Sequence, residues 1–232
     1  MNSTKVAVID NSINSHIYDP VFHWSRFIHL PCYGFKATEK KLPGLKQGFT
    51  HFILTGSEAS IMERDSWVYP EVDFVQEAVK QGYPVLGSCY GHQLLALALS
   101  GQNHVRRCPE PELGWYPIRI NRANEILGKE GVFYAYTLHF DEVVGLDAKF
   151  RILASTPNCR IHVFRYQSLP VWGIQSHPEI DVKTGIQLFR NMEKINKKKA
   201  HLFKRALASQ PRDSGRIRKI ADVFCRKRRK RP

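Results

Sequence analysis

The sequence has no run of apolar residues long enough to cross a membrane. Such a helix needs roughly 20 consecutive apolar residues, and the apolar stretches of this chain are much shorter. The first ten residues contain one lysine and a strand-like run that ends in Asp10, without the long apolar segment and small-residue cleavage site of a secretory signal. We therefore expect a soluble chain of the cytoplasm.

The sequence also lacks closely spaced pairs of cysteines. The chain has five cysteines, an odd number, and they are widely spaced: Cys32, Cys89, Cys108, Cys159 and Cys225. No two of them lie two to four residues apart, as the ligands of a zinc site or a redox motif do. Neither a disulfide framework nor a metal site is therefore expected, and one reactive thiol among inert ones is the remaining possibility.

Acidic residues are scarce at the C-terminal end. Residues 194–232 carry sixteen lysines and arginines against two aspartates, a difference that equals the net charge of +14 of the whole chain. A segment this basic can engage an acidic partner, nucleic-acid phosphate or an acidic membrane surface, or can stay solvated. Residues 1–193 are long enough for one substantial core, so we predict one domain followed by a basic C-terminal extension.

Short apolar runs rich in β-branched residues alternate with helical patterns in the first half of the chain. They predict strands over 5–10, 51–55 and 84–87, and helices over 19–28, 70–81 and 91–100. The second half predicts short strands over 115–120, 131–138, 151–154, 161–166 and 171–175, and a last helix from about Asp181 past Phe189. This order indicates a parallel sheet covered on both faces and an antiparallel extension of it.

Cys89 lies in Gly87-Ser-Cys-Tyr-Gly91, between a predicted buried strand and a predicted helix. Glycines on both sides permit a sharp bend, which is the nucleophile-elbow pattern with cysteine in place of serine. The partial positive charge of a helix N-terminus favours the thiolate. Cys89 is therefore the cysteine placed to react, although the motif alone is equally consistent with a tight turn that buries a small thiol.

His177 and Glu179 follow another apolar strand, in Gln175-Ser-His-Pro-Glu179. The carboxyl ends of parallel strands meet at one edge of a sheet, where functional sites assemble. We therefore expect this polar segment to leave the sheet at the same edge as Cys89.

Together the two motifs resemble the class I glutamine amidotransferases, whose catalytic triad is Cys, His and Glu. Three further segments are similar to the branch of that family found in GMP synthase: Thr55-Gly-Ser-Glu-Ala-Ser60, Glu112-Leu-Gly-Trp115 and Leu138-His-Phe-Asp141. The resemblance covers roughly residues 5–193. It implies a flavodoxin-like three-layer sandwich, with a mostly parallel central sheet, helices on both faces and an antiparallel extension.

The resemblance implies that Cys89 attacks the side-chain amide of glutamine and forms a γ-glutamyl thioester, with His177 carrying the proton and Glu179 orienting the ring. It assigns the oxyanion hole to the backbone N–H groups of Ser57 and Tyr90. It places four more residues at the substrate: Gly56, Gln93, His139 and Asp141.

Two of these assignments have alternatives. His139 and Asp141 can contact the substrate or an acceptor domain, and a hydrogen-bonded structural pair is an equally good interpretation. The oxyanion loop also departs from the family, which usually has Gly-Gly-Pro-Gly where this chain has Gly56-Ser-Glu-Ala59. Serine keeps a backbone N–H but restricts a positive φ angle, which predicts a loop that rests in an inactive shape until a partner binds.

Three functions follow as hypotheses. The first is a glutaminase that supplies ammonia to an acceptor enzyme; no glycine-rich ATP loop is present, so the synthetase would be a separate chain. The second is a γ-glutamyl hydrolase or peptidase that uses the same thioester. The third is a non-catalytic binding protein on the same scaffold, which functions through the basic extension. None of the three needs a cofactor.

Overall fold

The computed structural model describes residues 4–230, in which nine strands form one sheet. The strands are β1 (Val6–Asp10), β2 (Cys32–Lys36), β3 (His51–Leu54), β4 (Val85–Ser88), β5 (Val105–Ile120), β6 (Gly131–Val143), β7 (Phe150–Ser155), β8 (Val163–Tyr166) and β9 (Val171–Ile174). The α-helices are α1 (Pro20–Ser25), α2 (Val68–Lys80), α3 (Tyr90–Ser100), α4 (Val182–Ile195), α5 (Ala200–Ala208) and α6 (Ile217–Cys225). Within the described residues, no helix has the length and apolar character to span a bilayer.

The sheet is mixed. Its strand order is β2-β1-β3-β4-β9-β8-β7-β5-β6. The four pairings from β2 to β9 are parallel and the four from β9 to β6 are antiparallel. The sequence predicted a mostly parallel sheet, and the difference arises from the connections. No helix separates β5 to β9 along the chain, and parallel pairing needs a crossover of a dozen or more residues.

Helices cover both faces of the parallel half. Successive residues of a strand point to opposite faces. Ala7 and Ile9 of β1 pack into a cluster with α2 and α3. Val6 and Val8 pack on the other face, in a cluster that includes residues of α1 and α6. The α/β architecture expected from the sequence is thus confirmed, with a mixed sheet between its helices.

Most of the predicted elements are present with shifted ends. The helices expected at Asp19 and Asp181 begin directly after those residues, and each aspartate caps its helix by accepting a backbone N–H, at 3.0 and 2.8 Å. Strand β2 was not predicted. It forms a half-exposed edge of the sheet, so its residues show neither the apolar run of a buried strand nor a clean alternation.

The C-terminal segment packs against the rest of the chain through its two helices. Phe203 of α5 joins a cluster with residues of β5, β6 and α4. Ile220 and Phe224 of α6 are fully buried against the sheet. Lysines and arginines occupy much of the exposed surface of both helices, which explains how a segment of such high charge can still bury one face.

Candidate active site

The turn between β4 and α3 holds Cys89 in a strained conformation. Its φ and ψ are 48° and −103°, a positive φ that residues other than glycine rarely adopt. A Cβ on Gly87 would lie 2.3 Å from the carbonyl oxygen of Gly91, and a Cβ on Gly91 would lie 2.2 Å from that of Leu54. Both glycines of the motif are therefore required by the packing of this turn, which sets Cys89 at the N-terminus of α3.

His177 follows β9, the strand that pairs with β4, so it leaves the sheet beside the elbow. Its Nδ1–H donates to Oε1 of Glu179 at 2.9 Å. Burial lowers the pKa of His177, but the nearby charges of Cys89 and Glu179 outweigh burial and raise the pKa to about 10. The structure thus brings Cys89 and Glu179 next to the imidazole, and the Cys89 sulfur also lies 3.6 Å from the Leu138 carbonyl oxygen.

Tyr18 adds a contact that sequence reasoning missed. Its hydroxyl donates to Oε1 of Glu179 at 2.7 Å, and its ring meets the His177 ring edge-on at 5.8 Å between centroids. Burial and the neighbouring Glu179 charge raise the pKa of Tyr18 well above its usual value, so it remains a neutral donor. Tyr18 lies in a loop 161 residues from Glu179, and no local pattern marks it.

The loop after β3 lies directly against the imidazole. A Cβ on Gly56 would lie 2.4 Å from Cε1 of His177, so only glycine fits there. Asn11 holds the start of the loop, since its backbone N–H donates to Oγ1 of Thr55 at 3.0 Å and its side-chain amide donates to the Thr55 carbonyl at 3.2 Å. Ser57 is not among the described residues with positive φ, so serine fits this loop conformation without backbone strain.

A cavity of about 170 Å³ opens above the sulfur. Cys89, Ser57 and Gln93 line it together with residues from β5, β6 and the end of α4. Gln93 donates its side-chain N–H to the Asp141 carbonyl at 2.9 Å and to Oε1 of Gln175 at 3.3 Å. The amide of Gln93 is therefore fixed by the protein at the cavity wall.

His139 and Asp141 also line the cavity, and both make hydrogen bonds within the protein. Asp141 accepts from Oγ of Ser60 at 2.5 Å and pairs with Nη1 of Arg107 at 3.1 Å. Nδ1 of His139 donates to the Asp141 carbonyl at 3.0 Å, and Nε2 faces Glu112. Their expected role at the substrate stays a prediction.

The other four cysteines differ from Cys89 in their surroundings. Burial raises the pKa of the Cys32 and Cys225 thiols to about 11 and about 12. Burial and nearby carboxylates also hold the pKa values of Cys108 and Cys159 well above the usual range. These four thiols therefore stay protonated at neutral pH, although Cys108 lies 3.3 Å from Nδ1 of His139, whose Nε2 faces Glu112 at 3.2 Å.

The fold and the site define an α/β enzyme with a cysteine on a nucleophile elbow. Residues 32–194 match the family described as glutamine amidotransferase class-I. The chain is 31% identical over 163 residues to the A subunit of the glutamine-hydrolyzing GMP synthase of Sulfurisphaera tokodaii, a match that covers 69% of this chain and 84% of that protein. It is 33% identical over 163 residues to the corresponding protein of Sulfolobus acidocaldarius, with 69% and 83% covered. The chain belongs to the class I glutamine amidotransferases, in the branch that resembles GMP synthase.

Solved structures share the fold at lower identity. A glutamine amidotransferase from Thermotoga maritima superposes with a TM-score of 0.77 at 17% identity, covering 98% of this chain and all of that one. A glutamine amidotransferase from Methylobacillus flagellatus superposes with a TM-score of 0.70 at 20% identity, covering 97% and 90%. The first match extends over nearly the whole chain, so its span includes most of the basic C-terminal segment.

Proposed function

We propose that the enzyme hydrolyses the side-chain amide of glutamine through a thioester on Cys89. The sulfur attacks the amide carbon, the C–N bond breaks, and His177 gives its proton to the leaving nitrogen, which departs as ammonia. Water then attacks the γ-glutamyl thioester and passes a proton to His177, so glutamate leaves and the thiol is restored. The observation that carries this proposal is the His177 imidazole, which donates to Glu179 at 2.9 Å and lies near Cys89 at the N-terminus of α3.

The transition state needs donors for the oxygen that becomes negatively charged. The backbone N–H groups of Ser57 and Tyr90 supply them in this proposal, one from the loop after β3 and one from the first residue of α3. The substrate occupies the cavity above Cys89, where Gly56 keeps the loop close to His177. Gln93, His139 and Asp141 lie at the wall of the same cavity and are the residues proposed to hold the glutamine.

The ammonia is proposed to serve a separate synthetase or other acceptor chain. Relatives of this chain are the A subunits of glutamine-hydrolyzing GMP synthases, which implies at least one further chain in those enzymes. Mixing the protein with candidate synthetases and following ammonia-dependent product formation from glutamine tests the assignment.

We further propose that residues 1–193 are the amidotransferase domain, in a flavodoxin-like three-layer arrangement, and that residues 194–232 form a basic extension docked on it. Arg226 and Arg228 are exposed, and neither pairs with a carboxylate in the described part of the chain. An acidic surface of the partner, or nucleic acid, is the proposed contact. Replacing both arginines by serine should weaken partner binding most at low salt.

A γ-glutamyl hydrolase or peptidase would use the same residues and release an amine other than ammonia. The two functions separate in one assay, in which ammonia from glutamine and amine from γ-glutamyl peptides are measured on the wild type and on Cys89→Ala. Faster thiol-dependent release from the peptides would favour the second function. Partner binding that survives in Cys89→Ala, with no turnover of either substrate by the wild type, would favour a non-catalytic scaffold.

A further inference from the structure

Three buried side chains converge beneath the wall of the cavity. Glu112 of β5 and His139 of β6 are directly opposite each other in the antiparallel register, and His162 immediately precedes β8. Glu112 and His162 are fully buried, and His139 is 3% exposed. One ligand atom from each lies within 4.8 Å of the others. Cysteine spacing predicted no metal site, and this group of ligands contains no cysteine.

The His139 ring has contacts at both nitrogens. Nδ1 lies 3.0 Å from the Asp141 carbonyl, which can only accept, and 3.3 Å from the Cys108 sulfur, and a proton on Nδ1 satisfies the carbonyl. In a neutral imidazole Nε2 then presents a lone pair, and this atom faces Oε2 of Glu112 at 3.2 Å. Two lone pairs at that distance repel each other, and either a proton or a metal ion between them removes the repulsion.

His162 decides which cation fits. Its Nε2 lies 3.7 Å from the same Oε2 atom of Glu112, and neither of its ring nitrogens has a hydrogen-bond partner among the described residues. A proton on His139 would satisfy one imidazole and leave the second without a partner. A divalent metal ion would take a lone pair from both imidazoles and from the carboxylate. We propose that Glu112, His139 and His162 bind a divalent transition-metal ion, with zinc the best match.

The distances and the surrounding contacts agree with this site. Ligand atoms around a tetrahedral zinc ion lie about 3.4 Å apart, close to the 3.2 and 3.7 Å that separate Oε2 of Glu112 from the two imidazole nitrogens. All three ligand atoms lie within 4.8 Å of one another. Metal-bound histidines usually donate their other ring N–H to a carbonyl or carboxylate, as His139 donates to Asp141. Oγ1 of Thr156 donates to the remaining oxygen of Glu112 at 2.5 Å and orients the carboxylate. Two imidazoles and one carboxylate are a donor set that suits zinc and other first-row ions.

The site would link the antiparallel half of the sheet to the cavity. Its ligands come from β5, β6 and the residue before β8, so the ion ties these strands together beneath the site. The Asp141 carbonyl that orients His139 also accepts the side-chain N–H of Gln93. A bound ion would therefore hold the wall of the glutamine cavity through His139, with a fourth, non-protein ligand such as water completing its tetrahedral coordination.

The test measures metal binding by the tag-free full chain. Metal content is determined by mass spectrometry after purification, and zinc and cobalt are titrated into chelator-treated protein. The expected result is one equivalent of zinc per chain, a thermal midpoint that rises on zinc addition, and a tetrahedral cobalt spectrum without a thiolate band. His162→Gln should weaken zinc binding more than 100-fold, and Thr156→Val about 10- to 100-fold.

Two control variants separate this site from other zinc-binding groups. Cys89→Ala removes the active-site thiol, a strong zinc ligand in its own right, and should keep the one equivalent. His104→Gln removes a histidine outside the cluster and should also keep it. Circular dichroism verifies that each variant is folded. Less than a tenth of an equivalent on wild type after zinc addition overturns the proposal, as does equal zinc affinity of wild type and a folded His162→Gln.

Discussion

Tyr18 and Glu179 meet at 2.7 Å, with the tyrosine hydroxyl donating to the same carboxylate oxygen that accepts from His177 at 2.9 Å. Glu179 is fully buried, so these two bonds fix its position. A carboxylate held in this way fixes the plane of the imidazole in turn. Tyr18 is therefore a positioning residue for the proposed reaction, acting through Glu179 and His177.

Tyr18→Phe keeps the ring and removes the hydroxyl. We expect kcat to fall about 10-fold with a smaller change in KM, because one hydrogen bond to a charged group is worth about 1.5 kcal/mol and acts on the reacting groups alone. Steady-state ammonia release measures both constants. Tyr69→Phe, at an exposed position, is the matched control and should leave them unchanged. Equal kcat values for Tyr18→Phe and wild type would contradict the positioning role.

Gly56→Ala adds one methyl group next to the imidazole. That carbon would lie 2.4 Å from Cε1 of His177, so the ring or the loop must move, and we expect kcat to fall about 100-fold or more. Thermal denaturation should show that the variant stays folded. Gly44→Ala is the control, since its new carbon meets only the flexible Gln47 side chain, at 3.2 Å. Wild-type activity in Gly56→Ala would mean that the loop and His177 are not in contact during turnover.

The pH profile follows from the raised pKa of His177. Cys89 and Glu179 raise this pKa from its ordinary value of 6.5 to about 10. The imidazole therefore keeps its proton at pH values well above 6.5. The rate should therefore hold through pH 8 and fall only at more alkaline pH, where the imidazolium is lost. Glu179→Gln removes one of the two charges that raise the pKa, so the alkaline fall should move to lower pH. A wild-type rate that already falls as the pH rises through 6.5 would contradict a raised pKa of His177.

Phe224 tests whether the basic extension belongs to the folded unit. Its ring is fully buried and meets the His51 ring edge-on at 5.1 Å. Phe224→Ala should lower the free energy of unfolding by about 3–5 kcal/mol, as loss of a buried phenylalanine does. Arg218→Ala on the exposed side of the same helix is the control and should change it by less than about 0.5 kcal/mol. Urea denaturation measures both, and equal midpoints would show that the extension is not needed for stability.

The parts of the site that sequence predicted are those fixed by local structure. The Gly87-Ser-Cys-Tyr-Gly91 turn follows an apolar strand, so the bend and the position of Cys89 are determined within a few residues. His177 and Glu179 follow the strand that pairs with β4, and the parallel arrangement brings them to the same edge. The resemblance implied that Gly56 lies at the substrate, and the structure shows that this glycine packs against His177, where a Cβ would lie 2.4 Å from Cε1.

The contacts that sequence missed depend on distant pairings. Glu112 faces His139 because the register of β5 on β6 shifts between Arg107 and Glu112, and no local pattern specifies such an irregularity. Tyr18 reaches Glu179 from a loop, where neither periodicity nor a motif marks it. The sequence predicted an antiparallel extension but not that half of the strand pairings are antiparallel, since the length of β5 and its pairing with β6 are tertiary properties.

The most direct test of the whole account is to mix the protein with glutamine, quench in acid, and measure intact mass together with released ammonia. The account predicts a γ-glutamyl adduct on the wild type that maps to the peptide carrying Cys89. Cys89→Ala should give neither adduct nor ammonia, while its fold and glutamine binding are retained. Ammonia release from Cys89→Ala at the wild-type rate, or turnover by the wild type without any adduct on Cys89 under rapid quench, would contradict it.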